Sequence, residues 1–155
     1  KYIGTMISAI PLYAFHESSL GRETASTMQA TLRHKRKTLY RVQIKLGLKT
    51  IETIGLYDTG NCLYEPIRRK PVSIIGKELA ARLFEGEMEW NTRFRLIPYS
   101  SIGVENGLLR GFVADELIVF EGRYFFQTSY PVLAVAKQPF GKTDGYEIIL
   151  HPNMV

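Results

Sequence analysis

Asp58-Thr59-Gly60 follows the apolar pair Leu56-Tyr57 at the end of the run "IGLY". A lone carboxylate is costly to bury, so a chain that drives one to the end of an apolar strand either pairs it or uses it. The chemistry open to it is amide hydrolysis. One carboxylate takes a proton from water while a neighbouring carboxylic acid donates to the carbonyl oxygen, which requires two carboxyls close enough to share a proton. Gly60 lets the backbone approach the carboxylate and donate an N–H to it, and Thr59 offers a hydroxyl to a facing loop. The same tripeptide also occurs in ordinary turns, where Asp caps and Gly takes a positive φ.

A carboxyl pair needs two such loops, and Asp-Thr-Gly occurs once. Thr143-Asp144-Gly145 lacks the apolar lead-in and reads as a plain turn. The second carboxylate is therefore expected from another chain, with a symmetric homodimer bringing two copies of Asp58 together on its axis. Cys62 has no base at a telling position and reads as a small buried thiol. His16, His34 and His151 show no metal-ligand spacing, so no metal is expected, and no cofactor. Trp90, Phe112, Phe120, Phe125 and Phe126 read as core.

The elements that must position Asp58 are mostly strands. "LYRVQIKL" alternates Tyr40, Val42, Ile44 and Leu46 with polar residues, and "TIETIGLY" follows after a turn at Gly47, giving a hairpin that delivers Asp58 at its exit. A turn over residues 66–70 leads to the short apolar strand "PVSIIG". The segment "KELAARLFEG" then places Leu79, Leu83 and Phe84 at helical spacing, with Gly86 as its stop. Strands return in "TRFRLIPYSSI", "LLRGFVADELIVF", "RYFFQTSY" and "PVLAVAK", with turns at "VENG" and Glu121-Gly122. A hairpin over residues 95–112 turning at 104–107 is the candidate flap, with Ile102, Gly103, Val104, Asn106 and Gly107 as candidate substrate-binding residues. An ordinary barrel hairpin is the plainer alternative. The expected fold is mainly β, a closed or strongly curled barrel with one or two short helices.

The chain has 155 residues, 45% of them apolar, enough for one sizeable core. Residues 1–38 read as an apolar segment plus basic linker, with a frayed helix over 23–32, and residues 39–155 as the folded domain. A charge of +5 is concentrated in Arg33–Lys37 and Arg68–Lys70, which suits a basic face toward an anionic partner or a solvated surface. Neither a recognised motif nor interleaved aromatics makes the first cluster a nucleic-acid site, and no direct nucleic-acid contact is expected. A single cysteine cannot form an internal disulfide and fits a reducing compartment. Residues 2–15, "YIGTMISAIPLYAF", fall short of a bilayer span. They read either as the tail of a membrane helix or as an apolar strand or plug. The opening at Lys1 is read as a processed product or a piece of a longer chain.

The blocks "GLYDTGNCLYEPIRRKPVSII", "IPYSSIGVENGLLRGFVADELIV" and "IILHPNMV" occur in order. Together they resemble the protease domain of the sporulation sigma-E factor-processing peptidases. The resemblance implies a retropepsin-like aspartic endopeptidase, active as a homodimer, with Asp58 catalytic and Thr59, Gly60 and Asn61 completing its loop. It implies a membrane-embedded N-terminal half, this domain on the cytoplasmic side of the cell membrane, and removal of the pro-sequence of a sigma factor precursor, with an activating protein as a further partner. Asn61 departs from the Ser, Thr or Ala usual there in retropepsins and fits the sporulation family. Retropepsins also carry an apolar-apolar-Gly element after the flap. "EIILHPNMV" has its place but Leu150 for the glycine, whereas "SIIGKEL" has the letters but comes too early. The rival class is a non-catalytic, peptide-binding β-barrel module at the membrane surface, and a third reading is a nucleic-acid-binding barrel driven by net charge.

Overall fold

The computed structural model describes residues 38–85, 90–101 and 104–155. The apolar segment, the basic linker, the helix expected over 23–32, the stop at Gly86 and the flap residues Ile102 and Gly103 lie outside them.

The expected first hairpin is β1 (Thr38–Leu46) and β2 (Lys49–Tyr57), paired antiparallel from Thr38↔Tyr57 to Leu46↔Lys49. Gly47 turns it with φ +59°, a conformation that costs glycine nothing. After the Asp58 loop come β3 (Val72–Ile75), buried throughout, and helix α1 (Lys77–Phe84), which buries Leu79, Ala80 and Leu83. A second short helix, within the one or two expected but at a place not assigned to one, is α2 (Trp90–Arg93); it leads into β4 (Phe94–Ser101) and β5 (Val104–Val113). Strands β6 (Glu116–Glu121), β7 (Tyr124–Ser129), β8 (Val132–Val135) and β9 (Ile148–Leu150) complete the set.

These strands form one sheet in the order β4-β5-β8-β3-β9-β2-β1-β6-β7. The mainly β class is as expected. Hydrogen bonding ends at β4 and β7, so among the described residues the sheet has two edges, and of the closed or strongly curled barrel expected it is curl, not closure, that is found. Side chains alternate across it into two cores: Ile148 and Leu150 enter one, Ile149 between them the other. The first core joins Val42 and Leu117, near one end of the sheet, to Phe112 and Leu133, near the other, beneath α1. Sharing one core between distant strands requires a strong curl. The second core joins Leu56, Ile74, Ile97, Leu109 and Ile149.

The hairpin β4–β5 exists, but its tip falls between the paired Ser101 and Val104. The turn expected at Asn106-Gly107 is instead a β-bulge inside β5, with the register shift between Tyr99 and Ser101 and Asn106 at φ +57°. A left-handed Asn before Gly serves a bulge as well as a turn, so the dipeptide alone does not separate them. Of the aromatic set, Phe112 is fully buried and Phe120 is half-buried under the Arg41 guanidinium, 4.3 Å from its ring centre. Phe125 and Phe126 are exposed, contrary to expectation, because β7 is an edge strand with only β6 beside it.

Candidate active site

Asp58 leaves β2 where that strand runs parallel to β9, with Gly55↔Ile148, Leu56↔Ile149 and Tyr57↔Leu150 in register. Close approach is required here. A Cβ on Gly55 would lie 2.7 Å from Val42 Cγ2 and 3.0 Å from Leu150 Cδ1, so glycine sets the distance of the Asp58 strand from its neighbours. The next residue beyond each paired strand end is Asp58 on one and His151 on the other.

The loop closes on itself. The Asn61 N–H donates to the Asp58 carbonyl at 3.1 Å, and the Gly60 N–H donates to Asp58 Oδ1 at 3.0 Å. Asp58 is half-buried, and Thr59 and Gly60 are exposed. Asp58 Oδ2 accepts no hydrogen bond from the described residues, so half of the carboxylate stays available for a proton or a water. Asn61 turns inward and is buried: its Nδ2 donates to the Val72 carbonyl at 2.9 Å and its Oδ1 accepts the Leu63 N–H at 3.2 Å. It ties the loop to β3. Between two residues that turn in, Cys62 turns out and is exposed, so the expected buried thiol is not found.

Sequence blocks about ninety residues apart meet beneath this loop. The Tyr64 ring meets the His151 imidazole edge-on at 4.7 Å, and Asn153 Nδ2 donates to the Tyr64 hydroxyl at 2.9 Å. The His151 backbone N–H donates to the Ser73 hydroxyl at 3.0 Å, and that hydroxyl donates to Met154 Sδ at 3.1 Å. "EIILHPNMV" therefore lies against the Asp58 strand, and "SIIG" lies one strand further away. His151 Nδ1 accepts the Asn153 N–H at 3.1 Å, which places the neutral ring's proton on Nε2, buried and without a partner among the described residues. Burial holds this imidazole below its ordinary pKa.

Tyr146 carries no sequence signal for a place in the site, yet it stands beside it. Its phenol is held above the ordinary value by burial first, then by the charges of Asp144 and Asp58. Asp144 itself is exposed, in a single 3-10 turn (Lys142–Asp144) where it accepts the Gly141 N–H at 2.8 Å, and Gly145 closes the turn at φ +84°. That is the turn expected of Thr143-Asp144-Gly145. Among the described residues no cluster of three or more His, Cys, Asp or Glu could hold a metal, and no helix is long and apolar enough to cross a membrane.

A family model described as sporulation factor SpoIIGA, a peptidase family, matches residues 6–154. The chain belongs to this SpoIIGA family. Among curated relatives, the sporulation sigma-E factor-processing peptidase of Priestia megaterium is 27% identical over 132 residues, covering 74% of this chain and 43% of that protein. The one of Bacillus subtilis is 23% identical over 134 residues, with 74% and 43% covered. A Bacillus thuringiensis subsp. kurstaki protein, provisionally named a sporulation sigma factor-processing peptidase, is 26% identical over 135 residues, covering 76% of this chain and 84% of that one. The chain thus spans under half the length of the two sigma-E factor-processing relatives. No solved structure matches this SpoIIGA-family chain significantly.

Proposed function

We propose that this SpoIIGA-family chain is an aspartic endopeptidase domain that acts as a homodimer and trims the N-terminal pro-sequence of a sporulation sigma factor precursor. The observation that carries the reading is the Asp58 carboxylate, oriented through one oxygen by the Gly60 N–H at 3.0 Å. Its other oxygen is free, and its loop is fastened to β3 through buried Asn61. In a symmetric dimer the two free oxygens face one another, and like charges at that distance leave one proton shared between them. The ionised partner takes a proton from water, and the protonated partner donates to the scissile carbonyl. Substrate lies extended and adds to the hairpin β4–β5 by backbone hydrogen bonds, with Val104 and the bulge residues Asn106 and Gly107 of β5 as its contacts. The domain is held on the cytoplasmic side of the cell membrane by the rest of the protein, where an activating protein controls it.

The test is cleavage of an unprocessed sigma-E precursor by two copies of the chain tethered as a dimer, beside the same tether carrying Asp58→Ala. Trimming at one N-terminal site, lost in the folded variant, is the expected result. Equal trimming by both removes Asp58 from the chemistry. Binding without cutting by both favours the second reading, a non-catalytic peptide clamp at the membrane surface, for which the exposed ladder edge of β4 is the specific observation.

A further inference from the structure

The sheet face beneath α1 is only partly covered. The helix has eight residues, about 12 Å of length, and beside it the hairpin presents Leu96 and Leu108, each 50% exposed. Pro98 pairs with Leu108 and Leu96 with Arg110, so these four share one face of the hairpin. Between that face and α1 runs a groove of about 560 Å³ with Ala81, Phe84 and Leu108 as apolar lining and Lys77, Arg110 and Lys137 as its charged members. Among the described residues no carboxylate lines it and none of the three cations has an ion-pair partner. Lys137 rests over the Tyr99 ring at 5.4 Å.

We infer that this groove docks an acidic amphipathic helix of a partner protein, laid alongside α1. At Leu108 and Arg110 the hydrogen-bonded neighbour of β5 is β4, and β8 pairs only with Gly111, Phe112 and Val113; the groove is walled by side chains of α1 and β5, so its occupant binds by side-chain packing. A sheet face is normally closed by a layer of helices, and the small Ala81 side chain on the flank of α1 permits close helix–helix approach. Apolar anchors at i, i+3, i+4 and i+7 fill the space over Leu108 and Phe84. Glutamates beside those anchors meet Lys77, Arg110 and Lys137, and this charge complementarity selects an acidic helix over a basic one. The inference does not rest on the Asp58 reading: although it shares the β4–β5 hairpin with it, no residue of the Asp58 loop is among the described residues that line the groove.

The test uses a synthetic amphipathic helix of about 18 residues, with leucines on one face and glutamates flanking them, and a copy in which lysines replace the glutamates. Each is titrated into the isotope-labelled chain, with amide shifts read by NMR. The acidic peptide is expected to shift Ala81, Phe84, Leu108 and Arg110, and the basic copy to leave them in place. Arg110→Glu combined with Lys137→Glu, both exposed positions, is expected to weaken the acidic peptide at least tenfold with the spectrum otherwise preserved. No shift at these residues, equal affinity for both peptides, or unchanged affinity in the double variant overturns the inference. So does binding of phosphatidylglycerol vesicles through these residues when the acidic peptide fails to bind.

Discussion

Two carboxylates stand at either end of the β2–β9 pairing, and they are treated in opposite ways. Glu147, just before β9, is buried: one oxygen accepts the Thr53 hydroxyl at 2.6 Å and the other accepts the Arg82 guanidinium at 2.7 Å. Its backbone is also spent, donating to the Ile54 carbonyl and accepting the Gly76 N–H. Asp58, just after β2, is half-buried, with one oxygen on its own loop and the other open. A carboxylate whose two oxygens are consumed ties helix and strands together and has nothing left to give a reactant. One that is oriented but half unsatisfied, on a loop anchored by another residue, is available for chemistry.

The comparison breaks most directly at Asp58. Asp58→Asn keeps the shape and removes the carboxylate that the proposed reaction uses as its base, so cleavage by the tethered dimer is expected to fall by about 10³-fold or more, while melting shifts little. A large fall in melting temperature would make Asp58 another Glu147. The converse substitution is Glu147→Ala. It strands Arg82 and the Thr53 hydroxyl and is expected to cost about 2–4 kcal/mol in denaturant unfolding, below the top of the range for buried pairs because Arg82 reaches solvent. Its cleavage rate per folded molecule stays near that of the parent. Should that rate collapse while stability holds, Glu147 acts in the site and the division fails.

Asn61 lies between the extremes. Asn61→Ala removes the hydrogen bond to the Val72 carbonyl and the one from the Leu63 N–H, and a buried polar partner left unmade costs about 1–3 kcal/mol. Because the same side chain fixes the Asp58 loop, stability and cleavage are both expected to fall, with turnover reduced at saturating precursor as well as at low precursor. A loss of stability with turnover intact would mean that the loop keeps its geometry without this tie.

The β1–β2 hairpin was legible because alternation and Gly47 point to the same element, and Leu79, Leu83 and Phe84 marked α1 by their spacing. Asn106-Gly107 misled because turn and bulge ask for the same backbone. Phe125 and Phe126 misled because residue type says nothing about which strand ends a sheet; edge position is a property of topology. At the site, the tripeptide marked the loop itself. The segment holding His151 was placed at the loop through the resemblance alone; Tyr146, and the contacts of Tyr64 and Ser73 with His151, were not legible, since they depend on β9 running parallel to β2 after about ninety intervening residues. Asn61 was noticed as a departure in residue type, and the structure supplies a physical account: its amide spans from the loop to the β3 backbone, a bridge with two ends that a single hydroxyl or a methyl lacks.

The smallest expected effect sharpens the comparison from below, at the position across from Asp58. His151 is buried and neutral, its Nδ1 committed to the Asn153 N–H, and burial lowers its pKa in the folded chain. Above about pH 6.5 the ring is neutral in both folded and unfolded chains, and its contribution to stability is fully present. As pH falls below that value the unfolded chain binds a proton that the folded chain refuses, so stability declines until the folded pKa is crossed. Carboxylates titrate over part of the same range, so the decisive quantity is a difference. Unfolding free energy measured from about pH 7 to about pH 5 is expected to fall more steeply in the parent than in His151→Gln. Parallel slopes would mean that the folded chain takes up the proton as readily as the unfolded one, and that the ring beneath the Asp58 loop lies open to a counter-charge. A steeper parent slope identifies the support of the site, unlike Asp58 itself, as a place where charge is excluded.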